Sequence, residues 1–151
     1  MKIEKRYPEG RNKAFNITYD DGVLQDIPLI AMLNRYGIKG TFNLNSQLMQ
    51  TGFTWRHPCG MDITRLRRWE IGDLYEGHEI ASHTLTHPYM DSLSDEELYR
   101  QLGEDKRNLE AMFGREVAGF AVSFEYFDDR IARCAKKCGF EYARTSDVTL
   151  S

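Results

Sequence analysis

Two hydrophobic periods alternate along this sequence, and that alternation restricts the fold more than any other feature. Residues 13–20, 39–45, 78–83, 117–123 and 140–146 are short strand-like runs, whereas 23–37, 63–77, 94–114 and 128–139 place apolar residues at helical spacing. A helix between consecutive strands returns the chain to the end where the first strand began, so the strands must run parallel. The boundaries agree. Gly37 and Gly77 close the first two helices, and Ser94 followed by Glu97 has capping-box spacing at the start of the third. With 151 residues and no repeat, low-complexity tract or linker, the chain reads as a single domain, residues 1–151. A doubly wound α/β sheet and a (β/α) barrel both satisfy about five parallel strands with crossover helices, and in both, ligands gather at the carboxyl ends of the strands.

Those ends carry chemistry. Asp20 and Asp21, followed by Gly22, end the first strand, and His83 and His87 follow the third. Adjacent carboxylates repel one another, so the pair at a strand end calls for a cation. The four-residue spacing of the histidines would aim both imidazoles at one point across a helical turn, the geometry of His-x-x-x-His zinc motifs. Two imidazoles and one carboxylate make the three-ligand set of catalytic zinc, with a position open for water. They equally describe the facial triad of non-haem iron oxygenases. The second carboxylate favours hydrolysis, one Asp binding the metal and its neighbour acting as base.

Other classes are excluded by charge and hydropathy. A net charge of −3 with scattered basic residues predicts no nucleic-acid partner and no anionic membrane partner. The densest basic run, residues 65–69, falls in a helical pattern and reads as a solvated face. No apolar stretch is long enough to span a bilayer and no signal-peptide core is present, which predicts a cytoplasmic chain. Cys59, Cys134 and Cys138 are too few for a disulfide framework; Cys134 and Cys138, four apart, read as small residues sharing one helical face.

The stretches "TYDDG" (18–22), "GIKGTFNLN" (37–45) and "GHEIASHTLTHP" (77–88) resemble the opening motifs of the polysaccharide deacetylases, the nodulation-type carbohydrate esterases. The resemblance runs in order over residues 13–146. It implies a distorted (β/α) barrel with a divalent metal, usually zinc, at its carboxyl end. By position it makes Asp20 the general base and Asp21, His83 and His87 the metal ligands. The implied reaction removes acetyl groups from N-acetylated sugars in chitin-like chains or peptidoglycan, with acetyl esters or other C–N bonds as alternative substrates.

The chain departs from the family pattern twice. In "FAVSFEYF" (120–127), Ala121 stands where the family has an Arg that orients the base, and Glu125 where it has Gly, while Phe124 keeps the aromatic of the substrate groove. Arg144, at the end of the last strand, is the candidate substitute. The family's late Leu-x-His, which supplies the general acid, has no counterpart, so the expected barrel is incomplete and lacks its C-terminal strands. Three readings fit that ending: a fragment, a chain that closes its barrel as a homodimer, or a metal- or glycan-binding domain without catalysis. His57 falls in a loop bordering the expected site, and His78, at the opposite end of its strand, reads as structural.

Overall fold

In chain order the strands are β1 (Ile17–Asp20), β2 (Gly40–Leu44), β3 (Thr54–Arg56), β4 (Asp62–Thr64), β5 (Glu79–Ser82), β6 (Gly119–Ala121) and β7 (Tyr142–Arg144). The helices are α1 (Asp26–Arg35), the four-residue α2 (Arg68–Ile71), α3 (Asp95–Phe113) and α4 (Asp129–Lys137). The structure is a computed structural model describing residues 8–146. Most of the polar lead-in and the last five residues, on which the reading of a missing late motif turns, lie outside the described residues.

Five strands form one parallel sheet in the order β1-β2-β5-β6-β7. Because the order advances in one direction and parallel crossovers are right-handed, the helices fall on one face and the sheet curls about the other. The result is a curled half-barrel, the incomplete (β/α) architecture expected; a doubly wound sheet would reverse its strand order. On the helical face, Phe42, Leu44, Ile80 and Phe120 join Ile30 and Leu33 of α1, Leu98, Leu102 and Leu109 of α3, and Ile131 of α4 in one buried cluster. The alternate residues line the concave face and bond across strands. Thr41 Oγ1 donates to Glu79 Oε2 (2.6 Å), Tyr142 OH to Glu79 Oε1 (2.8 Å), and Asn43 Nδ2 to Thr18 Oγ1 (2.7 Å).

The helix expected over 63–77 is not there. Residues 62–64 instead form β4, which pairs antiparallel with β3 in a hairpin, and helix is confined to α2. Extended backbone wins because two neighbours offer it partners: Arg65 N donates to Phe53 O (2.9 Å), Leu66 N to Gly22 O (2.8 Å), and Leu24 N to Thr64 O (2.9 Å). The basic run divides accordingly. Residues 67–69 are exposed, as a solvated face requires, whereas Arg65 is buried. At the start of α3, Ser94 Oγ accepts from Glu97 N (3.2 Å), but the Glu97 carboxylate turns to Arg100 (2.6 Å), so only half of the capping box forms. Among the described residues, no helix is long and apolar enough to cross a membrane.

Beneath the strand ends, Asp105 of α3 is fully buried and accepts from Ser46 N (2.7 Å) and Ser82 Oγ (2.6 Å), joining the ends of β2 and β5. Burial pushes its carboxyl up to about 7, against the hydrogen bonds, which lower it. The unfolded chain releases this proton near its ordinary 3.8, the folded chain only near 7, so within that window the folded state binds more protons and rising pH lowers stability. Asp105→Asn can keep both contacts, accepting from Ser46 and donating to Ser82. Stability followed by thermal unfolding from pH 4 to pH 7 should fall less steeply for the variant than for the parent, by up to about 1.4 kcal/mol per pH unit, the value of one proton. An equal slope would exclude Asp105 as its source.

Candidate functional site

The two carboxylates reach the same end of the fold through a turn that starts inside the ladder. Asp21 N still donates to Asn43 O (2.9 Å), and the chain then reverses through positive φ at Asp21 (81°) and Gly22 (63°). Gly22 is required twice over, since a Cβ there would also meet Leu44 Cδ2 at 3.0 Å. The histidines converge by an irregular loop, not the helical turn their spacing predicts. Thr84 (φ 68°) and His87 (φ 55°) take left-handed conformations, and His87 N donates to Thr84 Oγ1 (3.1 Å). Phe124 (φ 61°) is a fourth non-glycine residue of this kind beside the site. Each conformation of this kind costs roughly 1–3 kcal/mol, and strain of that sort collects where a function needs it.

This geometry brings Asp21, His83 and His87 together, with one ligand atom from each lying within 4.8 Å of the others. Asp21 Oδ1 lies 3.9 Å from His83 Nε2 and 3.8 Å from His87 Nε2. His83 Nδ1 is 3.0 Å from the carbonyl of Ala121; a carbonyl only accepts, so Nδ1 carries the proton and Nε2 presents its lone pair to the cluster. Burial lowers the pKa of both imidazoles, Asp20 and Asp21 opposing it at His83 and the neighbouring His83 adding to it at His87. Two neutral imidazoles and a carboxylate are the protonation states a divalent cation needs, so the residues fit such an ion.

Asp20 stands apart from that cluster. Arg144 Nη2 donates to both of its oxygens (2.5 Å each), and Asn43 Nδ2 donates to Oδ1 (2.6 Å). Arg144 is in register with Ala121 on the adjacent strand, so the guanidinium absent from β6 is supplied from β7, one strand over. A second arginine escapes a reading of the sequence altogether: buried Arg65 pairs with Asp21 Oδ1 (2.8 Å). Neither Asn43 nor Arg65 carries a sequence signal beyond its place in a motif or a basic run.

Asp20, Asp21, His83, His87, Phe124 and Arg144 line a cavity of about 600 Å³. Tyr89 stacks on Phe124 at 3.8 Å between centroids, and Phe124 meets the His87 ring edge-on at 4.6 Å. On the other side of the acidic pair, Tyr19, Trp55, His57 and Met61 line a cavity of about 420 Å³ that also reaches Asp20 and Asp21, so His57 does border the site. His78 is buried at the far end, accepting from Gly40 N (3.1 Å) and facing Asn34 Oδ1 (3.1 Å), as a structural residue would.

The sequence profile of the polysaccharide deacetylases matches residues 8–143. The chain belongs to the polysaccharide deacetylase family. A peptidoglycan-N-acetylglucosamine deacetylase of Bacillus cereus is 34% identical over 131 residues, which cover 85% of this chain and 54% of that protein. In fold the chain is similar to a Streptococcus pyogenes deacetylase solved in complex with acetate, at a TM-score of 0.69 and 18% identity over 82% of this chain and 51% of the other. It is also similar to a CE4 family pseudoenzyme of Bacillus anthracis, at a TM-score of 0.64 and 22% identity over 87% and 43%. The chain thus spans about half the length of these polysaccharide deacetylase relatives, and a fold common to an enzyme and a pseudoenzyme does not by itself decide turnover.

Proposed function

We propose that this chain is a cation-dependent deacetylase domain acting on N-acetylated glucosamine in peptidoglycan or chitin-like glycans, with zinc as its cation. One observation carries the reading: a carboxylate held by Arg144 shares a cavity with a separate cluster of two histidines and a carboxylate. The 34% identical peptidoglycan deacetylase supports the choice of substrate. Asp21, His83 and His87 would hold the cation, which supplies Lewis-acid polarisation of the acetyl carbonyl and acidifies water.

The chain's own residues supply the base and a wall for the sugar. Asp20 accepts the proton of the attacking water, and the hydrogen bonds from Arg144 and Asn43 hold its carboxylate in place. The Tyr89–Phe124 stack offers the apolar face of a sugar ring a rigid wall beside His87. Acetate release from N-acetylglucosamine oligomers and peptidoglycan fragments tests the proposal. Release should be abolished by a chelator and restored by zinc or cobalt. Activity confined to acetyl esters, or glycan binding with no acetate from any substrate, would overturn it.

A further inference from the structure

Arg65 carries a full positive charge beside the carboxylate assigned to a cation, at 5% exposure. Coulomb repulsion alone makes it an unfavourable neighbour for that ion, so its presence asks for a geometric reason. Its hydrogen bonds provide one. Nη2 donates to Asp21 Oδ1 (2.8 Å), while Nη1 donates to the Asp21 carbonyl (2.5 Å) and to Asn45 Oδ1 (2.7 Å). Asn45, fully buried, extends the tether: its Nδ2 donates to the carbonyls of His83 and Thr84. Thr84 Oγ1 then accepts from His87 N and meets Ser123 Oγ at 2.8 Å. One guanidinium therefore ties the turn of Asp21 to the loop of His83 and His87. Both segments contain left-handed residues that relax when nothing holds them.

We infer that Arg65 is a positioning residue: with Asn45 it holds Asp21 and the His83–His87 loop in ligating geometry before the cation arrives. The inference rests on the cation site proposed above. Removing Arg65 has two opposed consequences, which makes the sign of the outcome decisive. If its charge dominated, its loss would tighten cation binding; if its geometry dominates, the loss weakens it.

Cobalt(II) titration, read by calorimetry and by the ion's visible absorption, separates the two in the parent chain, Arg65→Gln and Arg65→Lys. Loss of an outer partner of a metal ligand typically weakens affinity about 10–100-fold, and Arg65→Gln should fall in that range. Arg65→Lys keeps the charge but not the planar fork, so it should also bind more weakly and show an altered cobalt spectrum. A residue that only stabilised the fold would lower the melting temperature of both variants and leave the affinity per folded molecule unchanged. Equal or tighter binding by folded Arg65→Gln overturns the inference. Should that variant not fold, Asn45→Ala cuts the same tether one bond further on, and unchanged cobalt affinity there overturns it equally. A parent chain that binds no cobalt overturns the cation site, and this inference with it; a binding parent with unchanged variants overturns the role of Arg65 alone.

Discussion

Asp20→Asn is expected to lower acetate release by about 10²- to 10⁴-fold, the range general-base catalysis supplies, while the protein still takes up its cation. The substitution preserves shape but removes the basic lone pair and the charge. It also turns an amide nitrogen towards Arg144, because both Asp20 oxygens accept from the same Nη2. The separation of roles is what the structure makes testable, since the cluster of Asp21, His83 and His87 leaves Asp20 outside it. Arg144→Met should reproduce part of the loss by freeing the Asp20 carboxylate, with cation binding again retained. Acetate release and cobalt uptake measured on the same samples decide the matter. Full turnover in Asp20→Asn would remove it as the base, and loss of the cation would make it a ligand instead.

His83→Ala is expected to abolish both cation binding and acetate release. The side chain is 2% exposed, so the variant leaves a cavity and strands the Ala121 carbonyl that His83 Nδ1 faces. Leaving that acceptor unpaired costs about 1–3 kcal/mol of stability even without an ion. The loss of affinity should exceed the roughly 10–100-fold that an outer partner is worth, because the variant removes one of the three proposed ligand atoms. Thermal unfolding with and without zinc provides a second readout. A ligand at a hundred times its dissociation constant stabilises by about 2.7 kcal/mol, so zinc should raise the melting temperature of the parent and not of the variant. An equal rise in both would place the ion elsewhere.

Legibility differed sharply between parts of the chain. The ladders of β2 and β5 and helices α1, α3 and α4 lay close to where periodicity and caps put them, because each buries one face against the same core. The stretch 63–77 failed for the opposite reason. Leu66 and Ile71 join the core while Ile63 lines the cavity beside Asp20, so their helical spacing does not mark a common face, and hydrogen bonds to Phe53 and Gly22 settle the backbone. The histidines illustrate the same limit in reverse: the spacing placed both at the site, although an irregular loop rather than a helix delivers them. Arg144 could be named from its strand end as the candidate partner of Asp20, but the register that joins them across 124 positions of sequence could not be read.

By itself the sequence determined the class of fold, five parallel strands with crossovers, and the short segments that converge on the candidate site. Those features are local: period, glycine turns and caps act over a few residues, and the strand-end rule converts them into a place in the fold. The tertiary structure alone decided which charges meet. Arg65 was buried against Asp21 because a hairpin docks on the end of β1, and Arg144 reached Asp20 because β7 lies in register beside Ala121. The hydrogen bonds that aim the acidic pair follow from strand order and register, which bring together residues far apart in the sequence.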